Sequence, residues 1–131
     1  MQTLNKKALI VDDDIDYLTQ MKMTVSNFGF DVTTANSQEE AEKLILTFKP
    51  DIAILDLMME NQDSGFVLSY MIKKKYPEVP VIIATAVTAE TGFMFGLNSP
   101  EEKQWIKADL YLEKGLRADQ LQKEMFKLLK I

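Results

Sequence analysis

The chain has 131 residues, 47% of them hydrophobic, a net charge of −5, and neither cysteine nor histidine. That is enough apolar material for one ordinary core, and too acidic a balance for wholesale binding to nucleic acid or anionic membrane. Disulfides, thiol catalysis, a Ser-His-Asp triad, His-ligated zinc and any imidazole base are excluded, so chemistry must come from carboxylates, hydroxyls, lysine, backbone or a hard metal ion. The N-terminal residues lack an apolar signal core and no apolar run approaches membrane length, which predicts a soluble cytoplasmic protein with no membrane partner.

A first strand is expected from about Lys7 to Asp12, its apolar Ala8-Leu9-Ile10-Val11 running straight into Asp12-Asp13-Asp14. A helix follows, with Ile15, Leu18, Met21, Val25 and Phe28 at helical spacing and Gly29 as its stop. Asp31 to Ala35 is short and β-prone. Ser37-Gln38-Glu39-Glu40 reads as a capping box, and the helix it opens turns Ala41, Leu44, Ile45 and Phe48 inward until Pro50 ends it. Asp51-Ile52-Ala53-Ile54-Leu55-Asp56 is a second strongly apolar strand that ends in a carboxylate.

After the polar loop from Glu60 to Gly65, a third helix is predicted from about Gly65 to Tyr76, with Val67, Leu68, Met71 and Ile72 as its stripe. Lys73-Lys74-Lys75 closes it where the helix dipole favours cations, and reads as a solvated helix end. Val81-Ile82-Ile83-Ala84 is the next buried strand, ending in Thr85. Residues 88–98 carry an apolar Phe93-Met94-Phe95 and form the candidate insertion. Ser99-Pro100-Glu101-Glu102 signals a short fourth helix holding Trp105 and Ile106. Asp109-Leu110-Tyr111-Leu112 is the last strand, followed by Glu113-Lys114-Gly115 and a final helix carrying Leu121, Met125, Leu128 and Leu129 inward.

Five βα units in strict alternation predict an α/β fold with a doubly wound parallel sheet, in one domain covering 1–131. In such sheets ligands bind beyond the carboxyl ends of the strands. The unusual polar residues fall at those ends: Asp12 and Asp13, then Asp56, Thr85 and Lys114. A carboxylate at the tip of a buried strand is costly unless something binds it. Asp14 reads differently, as the N-cap of the first helix.

On Leu9-Ile10-Val11-Asp12-Asp13, Ile54-Leu55-Asp56-Leu57-Met58-Met59, Pro80-Val81-Ile82-Ile83-Ala84-Thr85-Ala86 and Tyr111-Leu112-Glu113-Lys114, the chain resembles the receiver domains of two-component response regulators. The four motifs occur in the family's order and span nearly the whole chain. The resemblance implies a flavodoxin-like (βα)5 sandwich with strand order 2-1-3-4-5. It implies that Asp56 is the phosphoacceptor and that Asp13, Asp56 and the backbone carbonyl of Met58 hold Mg²⁺ or Mn²⁺, with Asp12 acting through a water. Lys114 and Thr85 would contact phosphoryl oxygens, and Ala86 would leave them room. Thr85 and Tyr111 would form the switch, read out on the surface of the fourth helix, fifth strand and fifth helix. The implied donor is a sensor histidine kinase or a histidine phosphotransfer protein. The implied output is a downstream protein or an output domain absent from this chain, which would be either a stand-alone receiver or one domain of a larger protein. The chain would be a phosphoacceptor signalling domain and not an enzyme. Apolar Met58 and Val87 beside the acceptor imply slow loss of the phosphoryl group.

Three departures from the family pattern stand out. Gly115 replaces the proline that usually follows the lysine, Glu60 replaces a proline, and the segment around 87–104 is extended where the fourth helix should lie. Two other functions compete. A haloacid-dehalogenase-type hydrolase also ends a strand in a nucleophilic aspartate, but carries a second aspartate two residues later, where this chain has Met58. A receiver-like binding module without phosphoryl chemistry is opposed by intact Asp12, Asp13, Asp56, Thr85 and Lys114.

Overall fold

A computed structural model of the chain describes residues 5–57, 59, 64–85 and 108–131, with Thr85 described in its backbone only. The elements are β1 (Lys7–Val11), α1 (Ile15–Asn27), β2 (Asp31–Ala35), α2 (Gln38–Thr47), β3 (Ile52–Asp56), α3 (Ser64–Lys75), β4 (Val81–Thr85), β5 (Leu110–Glu113) and a C-terminal helix (Ala118–Leu129). The expected loop at 60–63, the extended segment at 87–104 with Phe93-Met94-Phe95, and the short helix with Trp105 and Ile106 lie outside the described residues.

All strand pairs are parallel, in the order β2-β1-β3-β4-β5. This is the flavodoxin-like order expected above. Strand alternation divides the core in two. Ala8, Ile10, Ile52, Ile54, Ile82 and Ala84 face Leu18, Met21 and Val25 of α1 and Leu121 and Met125 of the C-terminal helix. Leu9, Val11, Ala53, Leu55 and Val81 face Ala41 and Ile45 of α2 and Leu68 and Ile72 of α3. Both faces of the sheet are therefore covered, which explains strands that are apolar at every position and not at alternate ones.

Local signals fix the element ends. The Asp14 carboxylate accepts from the backbone N–H groups of Asp16 and Tyr17, at 3.1 and 3.2 Å, and caps α1. Gly29 takes φ 106° and lets the chain leave that helix, a conformation disfavoured for a residue with a Cβ. Ser37 Oγ accepts from Glu40 N–H at 3.0 Å and caps α2. At the amino edge of the sheet, Lys7 N–H donates to Asp51 Oδ2 and Val81 N–H to Asp109 Oδ2, each at 2.7 Å. Lys73 adds an ion pair to Asp109 at 2.7 Å.

Two predicted stripes differ from what is seen. Ile15 is 54% exposed, because the first turn of α1 rises past the end of β1 and has no strand beneath it. In α3 the buried face is Ser64, Gly65, Phe66, Leu68, Ser69 and Ile72, with Val67 and Met71 only half-buried. The helix begins one residue earlier than expected, and its first turn packs onto the end of β3. No helix among the described residues is long and apolar enough to cross a membrane.

Candidate functional site

The site is made by strand order. Because β1 and β3 are neighbours, in register from Ala8↔Ile52 to Val11↔Leu55, the residues at their tips stand side by side. Asp12 prolongs the ladder, its N–H donating to Ala35 O at 3.1 Å. Its own Oδ1 then accepts from Asp14 N–H at 2.9 Å, turning the chain into α1. Asp12 is 1% exposed and Asp56, the last residue of β3, is 6% exposed, whereas Asp13 is open to solvent. One carboxylate oxygen from each of Asp12, Asp13 and Asp56 lies within 4.8 Å of the others.

Lys114, just past β5, reaches across this cluster. Its Nζ lies 2.7 Å from Asp12 Oδ2 and 3.2 Å from Asp56 Oδ1. Three carboxylates thus face one ammonium, and negative charge is left over. The electrostatics follow. Burial, reinforced by the charge of Asp12, pushes the Asp56 carboxyl up to about 6, against the pull of Lys114. Burial works to lower Lys114, but its hydrogen bond to Asp12 and the charges of Asp56 and Asp12 outweigh that and hold it above the usual lysine value.

Of the other expected residues, Thr85 ends β4 opposite Glu113, and its side chain lies outside the described residues. The Met58 carbonyl, Ala86 and Val87 also lie outside them. Tyr111 pairs in register with Ile83 of β4 and is half-buried. Its ring meets Phe66 edge-on, with centroids 6.5 Å apart and planes at 73°, and burial pushes its phenol up to about 12.

Two residues at the site escaped the sequence reading. A Cβ at Gly65 would lie 2.6 Å from the carbonyl oxygen of Asp56 and 2.8 Å from Leu57 Cα, so only glycine lets α3 approach the tip of β3. Gly65 N–H also donates to Leu57 O at 2.9 Å. The signal was a glycine one residue into a helix, which reads equally well as part of the polar loop before it. Tyr17, from α1, places its ring 4.8 Å from Lys114 Nζ. Nothing in the sequence ties residue 17 to residue 114.

The sequence model of the response regulator receiver domain matches residues 8–126 of this chain. The chain belongs to the response regulator receiver family. This receiver is 34% identical over 94 residues to the alkaline phosphatase synthesis transcriptional regulatory protein PhoP of Bacillus subtilis, an alignment covering 72% of the receiver and 39% of PhoP. It therefore spans well under half of that relative. Among solved structures, the receiver domain of the Francisella response regulator 1452 is 31% identical with a TM-score of 0.76, covering 96% of this chain and 98% of that one. The response regulator TrrA of Thermotoga maritima, solved in complex with Mg²⁺ and BeF, is 27% identical with a TM-score of 0.76, covering 94% and 98%. The likenesses support a two-component signalling domain.

In the receiver, Lys114 is followed by Gly115. A Cβ on Gly115 would meet nothing within 4 Å, and the residue does not occupy the left-handed region. Gly115→Ala therefore restricts the unfolded chain without strain in the folded one, and should stabilise the protein by about 0.4–1 kcal/mol. Urea unfolding of the two proteins checks this, and a lower midpoint in the variant contradicts it.

Proposed function

We propose that this receiver accepts a phosphoryl group on Asp56 from the phosphohistidine of a sensor kinase or phosphotransfer protein, in a reaction that depends on Mg²⁺ or Mn²⁺. The observation that carries the reading is the crowding of Asp12, Asp13 and Asp56 at one sheet edge, two of them buried, with Lys114 as their single cation among the described residues. The donor set fits a hard divalent ion. It is all oxygen, anionic, partly desolvated and short of positive charge, conditions that suit Mg²⁺ and disfavour softer metals. The structure of the Thermotoga relative with Mg²⁺ and BeF supports the same metal. When bound, the ion supplies charge neutralisation to the carboxylates and to the incoming phosphoryl oxygens.

The chain's own residues do the rest. An Asp56 carboxylate oxygen attacks phosphorus as the phosphorus–nitrogen bond of the donor breaks. The electron pair of that bond stays on the imidazole nitrogen, which takes up a proton from solvent. Asp56 must be ionised to attack; burial raises its carboxyl to about 6 in the metal-free protein, and a cation bound beside it would favour the charged form. Asp13 and the Met58 carbonyl would complete the ion's ligands beside Asp56, and Asp12 would act through a water. Lys114 exchanges part of its pairing with Asp12 and Asp56 for a phosphoryl oxygen. The Thr85 hydroxyl donates to another. Movement of Thr85 then frees space for Tyr111, and the face made by the fourth helix, β5 and the C-terminal helix changes for a downstream protein or an attached output domain. The longer Bacillus relative, named a transcriptional regulatory protein, supports the second arrangement. We place the receiver in the cytoplasm as one domain, acting as a signalling switch and not as an enzyme.

The test is intact mass after incubation with Mg²⁺ and acetyl phosphate or phosphoramidate. One phosphoryl adduct is expected, absent with EDTA and absent in Asp56→Asn. An unmodified wild-type protein that still binds Mg²⁺ would turn the assignment toward a binding module.

A further inference from the structure

Lys114 is the one charged group that must face both the carboxylates and the incoming phosphoryl group, yet the loop that carries it is weakly braced. Its neighbour Gly115 has no side chain, and space for one is empty for 4 Å around. A turn hydrogen bond, Leu116 N–H to Glu113 O at 3.2 Å, ties that loop. Lys114 is nonetheless 20% exposed and well placed, with the ring of Tyr17 4.8 Å from its Nζ. Tyr17 is itself fixed. It lies in the first turn of α1, where its N–H is held by the Asp14 cap, and its ring packs on the core between α1 and the C-terminal helix.

We infer that Tyr17 is the positioning residue for Lys114, its ring fixing from α1 an ammonium that the loop after β5 leaves unbraced. The choice of an aromatic ring has a chemical reason. A lysine ammonium has three N–H donors. Asp12 and Asp56 take two, at 2.7 and 3.2 Å. A third carboxylate would take the last donor and add negative charge where the phosphoryl group must come. A ring face attracts the cation through its quadrupole without accepting a full hydrogen bond. One donor therefore stays available for a phosphoryl oxygen. This role rests on the phosphoacceptor reading given above, since it concerns how Lys114 is presented to that group.

The experiment uses the whole chain as wild type, Tyr17→Phe, Tyr17→Leu and Tyr17→Met, the last keeping a flexible apolar side chain should leucine impair folding. Two quantities are read. In metal-free protein with labelled lysine, the ring should shift the Lys114 ε-methylene resonance upfield in wild type and Tyr17→Phe, and not in the other two. With Mg²⁺ and phosphoramidate, the phosphorylation rate should fall about three- to tenfold in Tyr17→Leu and Tyr17→Met and be restored in Tyr17→Phe, the loss expected of one partly desolvated cation–ring contact. An adduct in wild type with unmoved rates in Tyr17→Leu and Tyr17→Met overturns the role of Tyr17 alone, and so does an equal loss in Tyr17→Phe. Absence of any adduct in wild type overturns the phosphoacceptor reading, and the role of Tyr17 with it.

Discussion

In metal-free protein, Asp56→Asn should unfold at nearly the same free energy as wild type below pH 4 and be on the order of 3 kcal/mol more stable above pH 6.5. The sign comes from burial. The Asp56 carboxyl has an ordinary value of 3.8 and is pushed up to about 6 in the folded chain, so between those values the folded state holds a proton that the unfolded state has lost. Stability from this group is complete below the lower value and is lost as pH rises through the upper one. Asparagine keeps the shape and carries no charge, so it escapes the loss, and Lys114 retains Asp12 at 2.7 Å as its partner. Saturating Mg²⁺ should then stabilise wild type at neutral pH by mass action and the variant far less. Urea titrations at pH 4, 5, 6 and 7.5, with and without Mg²⁺, decide it. Parallel pH curves for the two proteins would mean that Asp56 is not desolvated in solution.

Gly65→Ala should both destabilise the receiver and slow its phosphorylation. Its new Cβ would sit 2.6 Å from the Asp56 carbonyl oxygen and 2.8 Å from Leu57 Cα, and neither is a side chain that can swing away. Either α3 retreats from the sheet or the tip of β3 shifts. Overpacking of this kind costs about 1–3 kcal/mol. The kinetic effect should be larger than the thermodynamic one, because displacing a reacting group by about 1 Å costs on the order of a hundredfold in rate. We expect a folded, destabilised protein whose phosphorylation by acetyl phosphate slows by at least about tenfold. A variant as fast as wild type would show that the approach of α3 does not hold Asp56 in place.

How far the sequence could be read depended on how local each cause was. Strand identity came from short apolar runs, and caps such as Asp14 and Ser37 act within four residues, so element order and most ends were legible. The cluster of Asp12, Asp13 and Asp56 was legible because parallel strands must present their ends together. Gly65 and Tyr17 were not, since their roles exist only across elements: one depends on the distance from α3 to β3, the other on α1 lying over the loop after β5. Ile15 was placed inward because helical spacing records which side of a helix a residue occupies and not whether a strand lies beneath that turn. The expected roles of Thr85 and Tyr111 in switching are set by motion, which spacing does not encode.

The aspartates at the opposite edge of the sheet bear on how this protein can be handled. Asp51 and Asp109 each give an oxygen to a strand N–H, so their charge is spent on closing the fold. The two edges are a strand length apart, about 17 Å. The short turns there, at 28–30, 48–51 and 76–80, are consequently where a fluorophore, an affinity tag or an inserted peptide belongs. Of the three, the turn at 28–30 is the least free, since Gly29 and Phe30 in it are buried, whereas Pro77 and Glu78 in the turn at 76–80 are exposed. Grafting at the exposed Pro77-Glu78 leaves the acidic cluster chemically untouched and makes the receiver a portable module.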